Sequence, residues 1–263
     1  MRASFFDLKY TPMTRAPRRT HFHSARLVRT LVDLAVLKPG GPDTEIAAKL
    51  GSWTAFTDAI TLSRIHNTSA RELQGTTQPA DVRALTQEVY RVRVTLEQSI
   101  ASYNAPGENK PRIALPTPQA NASIEEASLY TPYRRYHQNH QRNLEQAVRG
   151  LRNNVRNTVA KASPKLRQLA MLDAGYEGIL QEREASLLGT IPSLFERHFH
   201  QLRKAHHQRM AESQQIDSPL LWLAPGAWLT QFLQDLHAAL LDELDLRLQP
   251  TLGLLEAFTT ENT

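Results

Sequence analysis

The chain has 263 residues, a formal net charge of +5 and no cysteine. That length can bury a core without cross-links, and the absence of thiols excludes disulfide frameworks, cysteine-based zinc sites and thiol nucleophiles. The modest net charge conceals a polarity: residues 132–167 hold nine Lys or Arg against Glu145 (+8), and residues 211–263 hold eight Asp or Glu against Arg247 (−7). Such asymmetry points to contact with an oppositely charged surface, whether a partner, a nucleic acid or the other part of the same chain.

The first 27 residues are basic but lack the continuous apolar region of a secretory signal, so a cytoplasmic protein is expected. A first helix is predicted over residues 24–37, with Ser24 as N-cap and Lys38-Pro39-Gly40-Gly41-Pro42 as its stop. A second begins near Asp43 and places Ile46, Leu50, Trp53, Phe56 and Ile60 on one face, with Asp58 just beside it as a buried carboxylate bonded to a neighbouring helix. Beyond a polar break at 75–79, Val82, Leu85, Val89, Val92, Leu96 and Ile100 recur at spacings of 3 and 4. This is a coiled-coil-like seam little more than two heptads long.

Periodicity lapses over residues 104–131, where Asn104-Ala105-Pro106-Gly107-Glu108-Asn109-Lys110-Pro111, Pro116 and Pro118 predict a linker. It would divide an N-terminal helical region, 1–103, from a basic helical region, 132–263, closed by an acidic helix. A long helix resumes near Tyr133. The next starts at Ser163, whose hydroxyl can cap while Pro164 takes the first helical position, and its stripe is Leu166, Leu169, Leu172, Tyr176 and Ile179. Gly189-Thr190-Ile191-Pro192 should restart the helix ahead of Phe195, Phe199 and Leu202. The closing helix is predicted from Ala227, with Phe232, Leu233, Leu236, Leu240, Leu241 and Leu244 inward, its acids outward, and Pro250 and Gly253 marking its end. Residues 219–241 are the most apolar stretch, but Pro225, Gly226, Gln231, Gln234 and Asp235 interrupt it, so no membrane insertion is expected.

The basic helix carries the main candidate site. On a helical wheel Arg135, Arg142, Arg149 and Arg156 drift slowly across one face, with Arg134 and Arg152 beyond Arg156 at its edge, so that all six share an arc of about 100°. Tyr133, Leu144, Leu151 and Val155 cluster on the far side, so an apolar seam faces away from an arginine stripe about 33 Å long. The planar, always-charged guanidinium suits carboxylate or phosphate. Three readings follow: a solvated face, a docking surface for an acidic helix, or a track for a nucleic-acid backbone. Asp235, Asp242 and Asp245, at spacings of 7 and 3, form a complementary acidic face on the closing helix of this chain or of a second copy.

Other residues point to packing. His137 and His140, and the group His198, His200, His206 and His207, read as surface histidines on basic helices, with no HExxH motif and no acid set to complete a metal site. Tyr130, Tyr133 and Tyr136 interleave with Arg134 and Arg135 as a stacking platform would, although spacing by three also describes a packing face. Trp53 and Trp228 sit in apolar stripes as core. With no phosphate loop, nucleophile elbow or paired carboxylates, neither an enzyme nor a cofactor is expected.

Several phrases carry a resemblance: Arg26-Leu27-Val28-Arg29, Leu50-Gly51-Ser52-Trp53 with Thr57-Asp58-Ala59-Ile60, residues 166–173 (LRQLAMLD), Arg183-Glu184 with Leu187-Leu188, and residues 243–256 (ELDLRLQPTLGLLE). Together they resemble an uncharacterised bacterial family of unknown function, with Phe56 standing where Trp is more usual. The resemblance implies genes beside inner-membrane proton-channel proteins of the MotA/TolQ/ExbB type and OmpA-like proteins, and hence a cytoplasmic accessory to a membrane-associated assembly. The expectation is an all-α protein of long amphipathic helices, an elongated bundle or hairpin, acting as a non-enzymatic interaction or scaffold protein; the alternative is a nucleic-acid-binding module.

Overall fold

The computed structural model describes residues 26–34, 56–67, 81–101, 113–118, 123–213 and 216–262, and among them every regular element is helical. In chain order these are α1 (Arg26–Asp33), α2 (Phe56–Asn67), α3 (Val82–Ala101), the single turn α4 (Ile124–Ala127), α5 (Thr131–Ala162), α6 (Pro164–Leu188), α7 (Ile191–Ser213), a 3-10 turn (Pro219–Leu223) and α8 (Trp228–Glu261). The protein is an all-α bundle. Its axis is α8, which packs on α1, α3, α5, α6, α7 and the 3-10 turn, while α5 and α6 form a hairpin and α2 lies on α6.

Local chemistry places the breaks where the sequence puts them. Ser163 is extended (φ −154°, ψ 161°), its hydroxyl accepts the Leu166 N–H at 3.1 Å, and Pro164 opens α6 with no N–H to leave unsatisfied. The hairpin turns there. α6 stops at Leu188, and α7 restarts at Ile191 with Phe195 and Phe199 fully buried. In α3, Leu85, Val89, Leu96 and Ile100 are buried, and Val82 and Val92 pack beside them. Ser123 and Glu126 cap α4 reciprocally, each side chain bonding the other's backbone N–H.

One hydrophobic cluster runs through the molecule. It joins Leu31, Leu85 and Ile100 to Leu144, Phe199 and Leu240, with Ile113 and Leu115 packed against it. The core therefore extends on both sides of the 104–131 stretch. The expectations for Ser24, Ile46, Leu50 and Trp53 fall outside the described residues.

Three expectations are corrected. α8 does not end at Pro250 and Gly253 but runs through them to Glu261. Beyond the proline, Thr251, Leu254, Leu255 and Phe258 are buried at helical spacing. Burying three such apolar side chains contributes about 1.5–3 kcal/mol each, which exceeds the roughly 3 kcal/mol penalty of an interior proline. Ile60 and Tyr176, expected inward, are 45% and 48% exposed. Leu62 and Ile65 point at α6 instead, where the missing side chain of Gly175 admits them: a Cβ there would stand 2.9 Å from Ile65 Cδ1. Finally, α8 does not turn all its acids outward, because Asp242 and Glu243 are buried.

Gly226, just before α8, has φ +79°, a left-handed conformation that costs a side chain about 1–2 kcal/mol. Its Cβ would meet nothing within 4 Å, so the cost is purely conformational. Gly226→Ala should lower stability by that amount without changing helix content, as a denaturant titration would show; an unchanged midpoint would contradict the assigned backbone.

Candidate functional site

The apolar seam of α5 is as its periodicity predicts: Tyr133, Tyr136, Leu144, Val148, Leu151, Val155 and Val159 are buried. The three tyrosines are a packing face. Tyr130 and Tyr133 lie against Phe199 and Phe232 with ring centroids 5.5–6.3 Å apart, and burial raises the pKa of both phenols.

The arginine stripe splits by angular position. Arg152 and Arg156, on the edge that turns towards α6, are covered by that helix, where Asp173 and Glu177 stand one turn apart. Asp173 accepts from Arg152 Nε and Nη2 at 3.1 and 2.6 Å and from Arg156 Nε at 2.8 Å, and Glu177 accepts from Arg156 Nη2. The four side chains are 11–19% exposed, so this is a screened clamp across the hairpin and not a free basic surface. Burial works against the charge of Arg156, but its bonds to Glu177 and Asp173 prevail and leave its pKa raised. Arg134, also at the edge, pairs with Glu196 of α7.

The middle of the stripe remains outward. Arg135, Arg142 and Arg149 are exposed. Arg142 donates to the Asn139 side chain at 3.0 Å and the Gln138 carbonyl at 3.4 Å, and Arg149 donates to Glu145 at 2.6 Å. Gln138, Asn139, Gln146, Asn153 and Asn157 share that arc and are exposed too, giving a ladder of guanidinium and amide groups.

The complementary acidic face does not meet the stripe within the chain, contrary to the expectation. Asp242 is 3% exposed, 2.7 Å from Arg26 Nε of α1, and accepts from the Thr30 hydroxyl. Asp245 accepts from Arg93 Nη2 of α3 at 2.7 Å, and Asp235 shares a 2.8 Å hydrogen bond with His198 of α7. Because α8 is the bundle axis, its acids are consumed by helices that surround it. Arg134, Arg152 and Arg156 of the +8 segment and Asp242 and Asp245 of the −7 segment thus find their counter-charges on other elements, and Lys165 with Glu261 joins the two segments directly.

Behind the stripe lies a buried polar layer that charge patterning did not reveal. His137 and His140, expected on the surface, are fully buried, and neither ring nitrogen of either meets a hydrogen-bond partner among the described residues. His237 of α8 is also buried and shares a 3.0 Å bond with the Tyr136 hydroxyl. Desolvation holds all three neutral, with pKa values lowered to about 3, 4 and 4; His140 adds to the shift of His137, and His237 to that of His140. One turn along, Glu243 accepts from Arg247 Nε and Nη2 at 3.0 and 2.8 Å and from Gln141 Nε2 at 3.0 Å; Gln141 also donates to the Leu188 carbonyl at 2.9 Å. Burial raises the Glu243 pKa, partly countered by Arg247 and Gln141.

Two clefts of about 290 and 330 Å³ open along the α5–α6 seam and share Glu145, Ala185 and Arg247. Their linings mix Arg142, Arg149, Arg152 and Arg247 with Glu145, Asp173, Glu177 and Glu184, and contain no serine, threonine, histidine or lysine. Among the described residues, no group of three His, Cys, Asp or Glu is placed to hold a metal ion. One missed feature had a sequence signal: arginines at i,i+4 before the Ser163 break and acids at i,i+4 after it foreshadow the hairpin clamp. His137 and His140 had an angular signal too, since on the wheel they fall among Tyr133, Leu144, Leu151 and Val155, and Glu243 falls between Phe232 and Leu236 on α8.

Among curated proteins and among solved structures, nothing matches the chain. A family model described as "Protein of unknown function (DUF3348)" matches residues 13–260, nearly the whole length, and the chain therefore belongs to that family.

Proposed function

We propose that the protein is a non-enzymatic helical interaction or scaffold protein that docks an acidic helix of a protein partner on the outward face of α5. The observation that carries this reading is the exposed ladder of Arg135, Arg142 and Arg149 with its interleaved amides. Guanidinium forks match carboxylates, and Asn and Gln add donors and acceptors that set register. A second copy is a poor source of the acids, since Asp235, Asp242 and Asp245 are engaged inside the bundle. The family resemblance favours a cytoplasmic accessory of a membrane-associated, proton-channel-type assembly.

The nucleic-acid alternative is weaker on density. Arg135 to Arg149 spans about 21 Å, along which one strand of duplex presents about six phosphates. Three arginines face that track, and Glu145 already neutralises Arg149.

Arg135→Glu, Arg142→Glu and Arg149→Glu in one chain should leave the melting temperature within a few degrees of wild type, because exposed pairs contribute only about 0–1 kcal/mol. The same variant should lose a cross-linked partner that carries an acidic helix. Retention of that partner would remove α5 from the interface, and retardation of duplex DNA or RNA at physiological salt, abolished in the variant, would favour the alternative.

A further inference from the structure

The 3-10 turn ahead of α8 presents an apolar tip. Ile216, Leu220, Leu221 and Leu223 are 93, 61, 62 and 36% exposed, four aliphatic side chains within eight residues. The turn is anchored from beneath. Trp222 is 1% exposed, its ring centroid lies 5.2 Å from that of Trp228, and its indole N–H donates to Asp217 at 2.7 Å. His206 of α7 shares a 2.8 Å bond with the same carboxylate oxygen. The leucines are thus held outward on a packed base, and exposed aliphatic side chains gathered within so short a segment mark a contact site.

Charge around the tip identifies the contact. His206 marks the side of α7 that faces the turn, and on a helical wheel Arg203 and Arg209 stand about 60° to either side of it. Among the described residues Arg209 bonds only its own helix, at the Ala205 carbonyl, and no acid pairs with Arg203. Over residues 203–213, Arg203, Lys204 and Arg209 stand against Glu212 alone, leaving +2, and the nearby Asp217 carboxylate is turned inward, with Oδ1 bonded to Trp222 and His206 and Oδ2 buried. An exposed aliphatic turn beside arginines unpaired among the described residues fits the boundary of an anionic bilayer, where leucines enter the acyl region and arginines meet lipid phosphates. We propose that this turn docks the protein peripherally on an anionic lipid surface. The protein would lie on the bilayer: no described helix is long and apolar enough to cross one. The inference rests on a different face from α5 and stands independently of the reading given for it.

Vesicle co-sedimentation of the full chain tests it. The protein should bind phosphatidylcholine vesicles containing phosphatidylglycerol, bind pure phosphatidylcholine far more weakly, and release as salt is raised. Leu220→Asp with Leu221→Asp should reduce binding at least tenfold, and Arg203→Gln with Arg209→Gln roughly fivefold per arginine, about 1 kcal/mol each. All four side chains reach solvent, so circular dichroism should show both variants folded. Wild-type protein that stays unbound on anionic vesicles would overturn the proposal. So would binding that survives the leucine changes, or lipid-free self-association abolished by the same changes, which would assign the tip to a second copy.

Discussion

Lowering the pH from 7 towards 4 should destabilise the protein steeply, with stability falling by up to about 4 kcal/mol per pH unit. The cause is His137, His140 and His237, whose pKa values in the fold are about 3, 4 and 4, against 6.5 when exposed. Between those values the unfolded chain binds protons that the folded chain refuses, so each histidine withdraws about 1.4 kcal/mol per pH unit as pH falls, and its contribution is intact above 6.5. Glu243 acts in the opposite sense: its raised pKa lets the fold take up a proton first, so where it titrates it offsets part of this loss. Between pH 6.5 and 4 the three histidines together withdraw about 10 kcal/mol, comparable to the whole stability of a typical domain, about 5–15 kcal/mol. Urea titrations at pH 7, 6 and 5 measure the slope. His137→Leu with His140→Leu should remove two of the three protons while holding stability at pH 7, because each neutral imidazole leaves a buried N–H without a partner. A slope unchanged in that variant would place the acid lability elsewhere.

Arg247→Ala should destabilise the fold by about 3–5 kcal/mol, the usual cost of stranding one member of a buried ion pair. Glu243 is fully buried, and Arg247 supplies two of the three donors that reach its carboxylate. Glu243→Leu with Arg247→Met should recover most of that loss, since an apolar pair of similar volume needs no desolvation, and Gln141 keeps its bond to the Leu188 carbonyl. Thermal melts of the three proteins decide the matter: a double variant as weak as Arg247→Ala would mean that the loss comes from packing along α8 and not from the stranded charge.

Helix type and most helix starts were legible in the sequence, because they depend on short-range chemistry. Ser163 with Pro164 opens α6, Gly189 and Thr190 separate α6 from α7, and spacings of 3 and 4 pick out the buried seams of α3 and α5. The stripe was legible as an arc of arginines for the same reason. What covers each residue was not, since periodicity reports an angle about one helix and nothing about its neighbours. The tertiary structure alone decided that α6 covers Arg152 and Arg156, that α7 brings Glu196 to Arg134, and that Arg135, Arg142 and Arg149 stay outward. It also decided the fate of α8. A helix enclosed by its neighbours can bury Asp242 and Glu243 and carry Pro250 inside it, because partners and apolar area arrive from helices distant in sequence. His137 and His140 went inward for a related reason: they lie on the tyrosine side of α5, where packing against Phe195 and Tyr136 outweighs the solvation of an imidazole that can remain neutral.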